Sequence, residues 1–203
     1  MFDLRPDTTA AKLLARAGRA AFAGDDGLLA AVIKVLGEEG FNVVGAHEIL
    51  TEALGPRGLL TQAAPDAQAM ADIARGVAVA SALGAVDVGQ GCVVQEGLVL
   101  AVEAIEGTDE MLQRAGSLRR QGPGGVLVKV VKPGQDRRAD LPALGPRSIA
   151  GAVAAGLRGV AFEAGGTLLA ERSALIAAAD EAGLFLLGFD VSEFLPKENT
   201  DEQ

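Results

Sequence analysis

Seven residues, Gly125-Val126-Leu127-Val128-Lys129-Val130-Val131, narrow the choice of fold more than any others. Their β-branched side chains suit a pleated strand, and the near absence of polar alternation marks a strand covered on both faces. Lys132-Pro133-Gly134 ends it, because proline has no ladder N–H and glycine favours a turn. Directly beyond stand Gln135, Asp136, Arg137, Arg138 and Asp140; Leu141-Pro142 and Gly145-Pro146 then close the loop before a helix. In an open α/β sheet the ligand site lies beyond the carboxyl ends of the strands. Chemistry is therefore expected on this loop. Two carboxylates and two guanidiniums at one strand end can hold a divalent metal together with an anionic substrate. The same residues also suit a solvated turn with local ion pairs.

A unit recurs around that strand: an alanine-rich helix, a glycine, a short apolar strand. It stands at Glu39-Gly40-Phe41-Asn42-Val43-Val44-Gly45, at Leu83-Gly84-Ala85-Val86-Asp87-Val88-Gly89, at Leu157-Arg158-Gly159-Val160-Ala161-Phe162 and at Ala182-Gly183-Leu184-Phe185-Leu186-Leu187-Gly188. Each first glycine sits where a left-handed residue stops a helix. The alternation predicts an α/β fold with a mixed, mainly parallel sheet flanked by helices and preceded by a short helical segment. Helices are expected over residues 10–22, 27–39, 66–83, 110–120 (with Thr108 as cap), 148–156 and 171–182. Strands are expected over 41–46, 92–95, 98–103, 125–131, 160–163, 167–170 and 184–189, with a hairpin turn at Glu96-Gly97 and a loop over 51–65. This divides the chain into a helical packing segment (1–40), an α/β catalytic domain (41–195) and a polar tail (196–203).

Composition removes several classes of function. The 203 residues carry a formal charge of −9, which argues against a nucleic-acid partner, since such binding needs a basic footprint. An anionic ligand must therefore meet a local arginine cluster or a metal. Aromatic residues are 3% and Trp and Tyr are absent, so the core is built from Ala, Val, Leu and Ile. The single cysteine, Cys92, excludes an intrachain disulfide and suits the cytosol. Within Cys92-Val93-Val94 it reads as a small buried hydrophobe rather than a catalytic thiol. Met1-Phe2-Asp3-Leu4-Arg5-Pro6-Asp7 is not a secretion signal, and no run of 18 apolar residues could span a bilayer. A lipid substrate would have to be met at the membrane surface.

There is no Walker-A loop, paired CxxC, HExxH or GxSxG. Gly89-Gln90-Gly91 is only a fragment of a dinucleotide fingerprint. His47-Glu48, just past a predicted strand end, suits a general base or ligand, and equally a capping or hydrogen-bonded structural histidine. Glu103, Glu106 and Asp109 stand where a predicted strand passes into a helix. Thr108 and the Gly107 amide at that helix start could grip a phosphate, with the carboxylates holding Mg²⁺; alternatively Asp109 and Glu110 only complement the helix dipole. Glu163 is another acid at a strand end. Lys129, inside an apolar run, needs an acid or a ligand facing it.

Gly45-Ala46-His47-Glu48, Asp87-Val88-Gly89-Gln90, the run from Val99 through Glu103 and Glu106 to Gly107-Thr108-Asp109, Lys132-Pro133-Gly134-Gln135-Asp136-Arg137-Arg138-Ala139-Asp140-Leu141-Pro142, and Phe162-Glu163-Ala164-Gly165 occur in this order. In them the chain resembles the LpxI-type UDP-2,3-diacylglucosamine pyrophosphatases of lipid A biosynthesis, from about Arg5 to Asp190. The resemblance implies Mg²⁺-dependent hydrolysis of UDP-2,3-diacylglucosamine to 2,3-diacylglucosamine 1-phosphate (lipid X) and UMP. It implies catalytic roles for Asp136, Asp140 and Arg138, and a metal held by Asp136, Asp140, Glu106 and Asp109. Lys132, Gln135, Arg137, Thr108, Gly107, Gln90 and His47 would bind substrate. The partner is then a glycolipid nucleotide, met in the cytoplasm or at the cytoplasmic face of the inner membrane; a homodimer is left open. Family members also carry a glycine-rich Rossmann-like N-terminal domain, which this chain is expected to lack. The alternatives are a truncated, non-catalytic module that binds lipid X or UDP-diacylglucosamine, and a scaffold subunit.

Overall fold

In chain order the elements of the computed structural model are α1 (Asp25–Glu38), α2 (Ala46–Ile49), β1 (Gly58–Leu59), α3 (Ala67–Ala85), β2 (Gly91–Gln95), β3 (Leu98–Val102), α4 (Gly107–Ser117), β4 (Val126–Lys129), β5 (Ala143–Leu144), α5 (Pro146–Ala154), β6 (Gly159–Glu163), β7 (Leu168–Leu169), α6 (Arg172–Glu181) and β8 (Phe185–Phe189), with 3-10 turns at Thr51–Ala53 and Val191–Glu193. The structure describes residues 25–194 together with Asp7, Thr8 and Ala11. The helix expected over 10–22 and the polar tail lie outside the described residues.

The valine-rich run becomes β4, buried at every position, in a six-stranded sheet of order β1-β8-β6-β4-β2-β3. The sheet is mixed. β4, β6 and β8 pair in parallel at its centre, and the outer pairs β1–β8, β4–β2 and β2–β3 are antiparallel. A separate parallel ribbon joins β5 to β7.

Side chains on β4 alternate between two apolar layers, as the pleat requires. Val126 and Val128 pack with Ala69, Ile73 and Val77 of α3 on one face. Leu127 packs on the other with Met111 and Leu112 of α4, Ile149 of α5 and Leu175 of α6. The fold is thus one long helix, a sheet, and three helices.

Local chemistry sets the ends of these elements. Asp66 caps α3 by accepting the Ala69 N–H at 2.8 Å. Glu96-Gly97 form the two-residue hairpin turn with φ of 51° and 78°, a mirror-image turn that follows the strand twist and favours glycine. The turn is tied to α3 by buried Asp72, which accepts the N–H groups of Glu96 at 3.0 Å and Gly97 at 2.7 Å.

Several expectations are corrected. Residues 41–45 form no strand, and α2 begins at Ala46. Phe41 and Val44 stay exposed; the Gly45 N–H turns to Glu48 Oε1 at 2.7 Å, so backbone groups that a neighbouring strand would have taken close a helix start. Val86 to Val88 form a turn, in which the N–H groups of Val86, Asp87 and Val88 return to the carbonyls of Leu83 and Gly84. The loop over 51–65 contains β1, which pairs with β8. α4 begins at Gly107 with Glu106 as its N-cap, so Thr108 lies inside the first turn and is no cap.

Cys92 is fully buried with its thiol against the Gly76 carbonyl, and burial, helped by nearby Glu103, pushes the thiol up to about 12. That is a structural cysteine. Among the described residues no helix is long and apolar enough to cross a membrane.

Leu127→Ala, in the middle of the buried layer, is expected to lower stability by about 2–5 kcal/mol in urea denaturation. Ile105→Ala, fully exposed, is expected to stay within about 0.5 kcal/mol of the parent.

Candidate functional site

Strand polarity brings five separate turns to one edge of the sheet. β4, β6 and β8 run parallel, so Val130 to Lys132, Glu163 and Asp190 all follow carboxyl ends at that edge. β2 runs the other way, with Gly91 opposite Lys129, and β3 returns with Val102 opposite Cys92. Gln90 and Glu103 therefore join the same edge, and Val130 donates to the Gln90 carbonyl at 2.9 Å. Residues 87–90, 103–109, 130–140, 163–165 and 190 share the place where open sheets bind ligands.

At its floor lies a buried polar network. Lys129 donates to Thr108 Oγ1 at 2.6 Å and to Glu103 Oε1 at 3.3 Å, and the Thr108 hydroxyl donates to the same Glu103 oxygen. Lys129 and Glu103 side chains are 4% and 8% exposed. The acid expected opposite Lys129 is thus Glu103. Thr108 is committed to this network instead of standing free for a phosphate. Among the described residues Glu103 Oε2 is buried without a partner, 2.8 Å from where a Cβ on Gly91 would be. Gln90 Oε1 and His47 Nδ1 are likewise buried without a partner.

Above the floor is the loop after β4. The Lys132 ammonium pairs with Asp87 Oδ1 at 2.7 Å, and the Lys132 N–H donates to Gln135 Oε1. Gln135 donates its amide to Asp140 Oδ2 at 3.0 Å. Arg138 grips Asp136 with Nε at 2.9 Å and a terminal nitrogen at 2.6 Å, and its N–H adds a third bond at 3.0 Å. This guanidinium holds the Asp136 carboxyl below the usual carboxylate range, while Asp136 first, and Glu48 further off, push Arg138 up. Arg137 reaches over to Glu163 at 3.6 Å and to the Gly165 carbonyl at 3.4 Å. Glu163 Oε2 also accepts the Val131 N–H at 2.8 Å, tying the ends of β4 and β6 together.

The four acids expected to hold a metal are not gathered. Asp136 and Asp140 share one turn, with the Asp140 N–H on the Asp136 carbonyl at 3.3 Å. Glu106 is bound to Arg114, and Asp109 to Arg147 at 2.7 Å, each lining its own hollow. Among the described residues no three acidic, histidine or cysteine side chains stand together as a metal site. The four-carboxylate cage therefore does not fit. Mg²⁺ can take as few as one or two carboxylates and complete its shell with water and substrate phosphate; of the four acids, Asp136 and Asp140 are the pair that share a turn.

Sequence reasoning gave no site role to Asp87, Arg57 and Asp190. The left-handed backbone of Asp87 (φ 53°) has no sequence signature. Asp190 does have one: it comes directly after the last strand, as Glu163 closes β6.

Lys129→Ala should cost about 3–5 kcal/mol in urea denaturation, because it strands Glu103 as a buried unpaired charge. The double variant Lys129→Met/Glu103→Leu should recover more than half of that loss. In Arg138→Ala, the Asp136 pKa followed by NMR should rise toward the ordinary ~3.9. Since the folded value is depressed, the pair's contribution to stability is present above the ordinary carboxylate range. It fades as pH falls through the lowered value.

Residues 56–187 match the model of the LpxI C-terminal domain, and residues 1–53 match that of the LpxI N-terminal domain. The opening segment, expected to begin beyond that N-terminal domain, thus carries a stretch of it. A UDP-2,3-diacylglucosamine pyrophosphatase LpxI from Caulobacter vibrioides is 47% identical over 196 residues, an alignment covering 94% of this chain and 70% of that protein. With the C-terminal domain model matching more than half of this chain, and with that degree of identity to a relative, this chain belongs to the LpxI family.

Proposed function

We propose that this chain hydrolyses UDP-2,3-diacylglucosamine to 2,3-diacylglucosamine 1-phosphate and UMP, a step of lipid A biosynthesis. What carries the reading is the acid- and arginine-bearing turn Gln135 to Asp140, placed at the carboxyl edge of the parallel strands in a chain 47% identical to a relative of that name. Water adds to one phosphorus, the P–O bond to the bridging oxygen breaks, that oxygen leaves with the other phosphate, and the two protons of the water are released as both monoesters ionise.

The chain's residues divide this work. Arg138, on an exposed turn, exchanges Asp136 for the pyrophosphate, where a bidentate guanidinium offsets developing charge. That exchange frees Asp136, which with Asp140 orients the attacking water and takes its proton. Lys132 and Arg137 add positive charge around the phosphates, and Gln135 holds Asp140 in place. Mg²⁺, when bound by Asp136 and Asp140, supplies charge neutralisation and a more acidic water. Residues 41–195 form the catalytic unit in this proposal. The substrate's acyl chains require contact with the cytoplasmic face of the inner membrane, a role suited to the exposed apolar residues Val86, Val88 and Ile105 along the site edge.

One observation favours the alternative of a non-catalytic binding module: Asp136 and Arg138 neutralise each other. The assay that separates the two is UMP release from UDP-2,3-diacylglucosamine. Hydrolysis is expected with Mg²⁺ and not in excess chelator, and Asp136→Ala and Asp140→Ala should each lose at least about a hundredfold. Retained lipid without UMP release points to the binding module.

A further inference from the structure

Two residues beyond the ends of α1, α5 and α6 stand Gly40, Gly156 and Gly183, with φ of 89°, 67° and 67°. In each case the glycine N–H returns to the carbonyl three residues back, and the next N–H to the carbonyl five back from itself. This is the left-handed stop that glycine takes at little cost. α3 ends with the same bonds, Asp87 N–H to Gly84 and Val88 N–H to Leu83, both at 3.0 Å. There, however, the left-handed place is held by Asp87, with φ of 53°. A side chain in that conformation opposes the steric preference of an L-residue. The helix end alone calls for glycine, so the carboxylate at 87 answers to something else.

It answers to Lys132, whose ammonium donates to Asp87 Oδ1 at 2.7 Å. The pair is shielded, with the Lys132 and Asp87 side chains 12% and 29% exposed. Gly84 permits the approach: a Cβ there would stand 3.0 Å from Pro133 Cδ and 3.2 Å from Lys132 Cα. The last turn of α3 therefore lies directly against the start of the loop after β4. Lys132 is tied onward to an acid of the proposed hydrolysis. Its backbone N–H donates to Gln135 Oε1 at 3.3 Å, and Gln135 donates to Asp140 Oδ2 at 3.0 Å. An ammonium on a flexible four-carbon stem has no direction of its own. Asp87 gives it one.

We infer that Asp87 is a positioning residue, which holds the Lys132 ammonium in place for a phosphate of the substrate, and that the left-handed backbone is retained for this purpose. The inference rests on the proposed hydrolysis and names the residue that prepares one of its cations. Asp87 acts through Lys132 only, because its own charge would repel a phosphate.

The test measures kcat/KM for UMP release, and UDP binding by calorimetry, in the full chain and in Asp87→Gly, Asp87→Asn, Lys132→Met and Asp87→Asn/Lys132→Met. Asp87→Gly supplies the residue that stops the other three helices, so a purely structural Asp87 predicts no loss of activity. Positioning predicts a fall of about tenfold in kcat/KM and in UDP affinity for both Asp87 variants, the scale of one hydrogen bond to a charged group. With no ammonium left to place, adding Asp87→Asn to Lys132→Met should cost less than about twofold. Far-UV circular dichroism and Tm identify a variant that fails to fold, and the other Asp87 variant then decides. Folded Asp87 variants within twofold of the parent overturn the inference, as does an equal loss with and without Lys132. A parent that releases UMP while its Asp87 variants are unaltered keeps the hydrolase reading and sinks the inference. A parent that binds UDP with the expected dependence on both residues but releases no UMP does the reverse. A parent that does neither overturns both.

Discussion

An ammonium group inside a protein is tolerated only when something answers its charge, and Lys129 at the end of the central strand sets that condition for the rest of the site. Desolvating an isolated ion costs several kcal/mol. Glu103 and Thr108 offset that cost, and in doing so they fix where β3 ends and α4 begins. The start of α4 is therefore held against the end of β4 by charge as well as by the apolar layer beneath. Gly91 belongs to the same arrangement, since any side chain there would collide with Glu103.

The turn after β4 is held differently. Its Asp136–Arg138 pair is local and partly exposed, so it is worth little to the fold and can be exchanged for a ligand at modest cost. Asp136 and Arg138 are two residues apart and satisfy each other; Gln135 and Asp140 do the same across the turn. A chain with net charge −9 can meet an anionic ligand only where such guanidiniums are concentrated or a metal is held. The floor is rigid because its charges are buried, and the turn above is adaptable because its charges are not.

This difference also explains what could be read from the sequence. β4, β6 and β8 were legible because buried parallel strands are uninterrupted apolar runs, and the hairpin was legible from Glu96-Gly97 between two such runs. The helix expected from Asp66 is α3, with Asp66 itself as the cap. Phe41 to Gly45 has the same composition as a strand but no strand beside it; pairing is a property of the whole sheet and leaves no mark in a short run. β5 and β7, with two residues each, are too short to have a period. The loop after β4 was legible as a site because strand, stop and charge cluster follow in order. Its internal pairing was not, since which carboxylate meets which arginine is decided by turn geometry. Glu106 and Asp109 are grouped with Asp136 and Asp140 because the family resemblance implies one metal held by all four. Arg114 and Arg147, on the helices, claim them instead.

The corner at Gly45 has a mechanical meaning. Arg138 Cα lies 3.1 Å from where a Cβ on Gly45 would be, and the His47 ring lies nearer still, so the turn after β4 packs closely against the start of α2. The segment carrying Gly45 falls within the match to the N-terminal domain, and Arg138 within the match to the C-terminal one. A shift of the first segment therefore bears on the turn that carries Arg138, which makes this corner a point where the segments matched to the two domains meet.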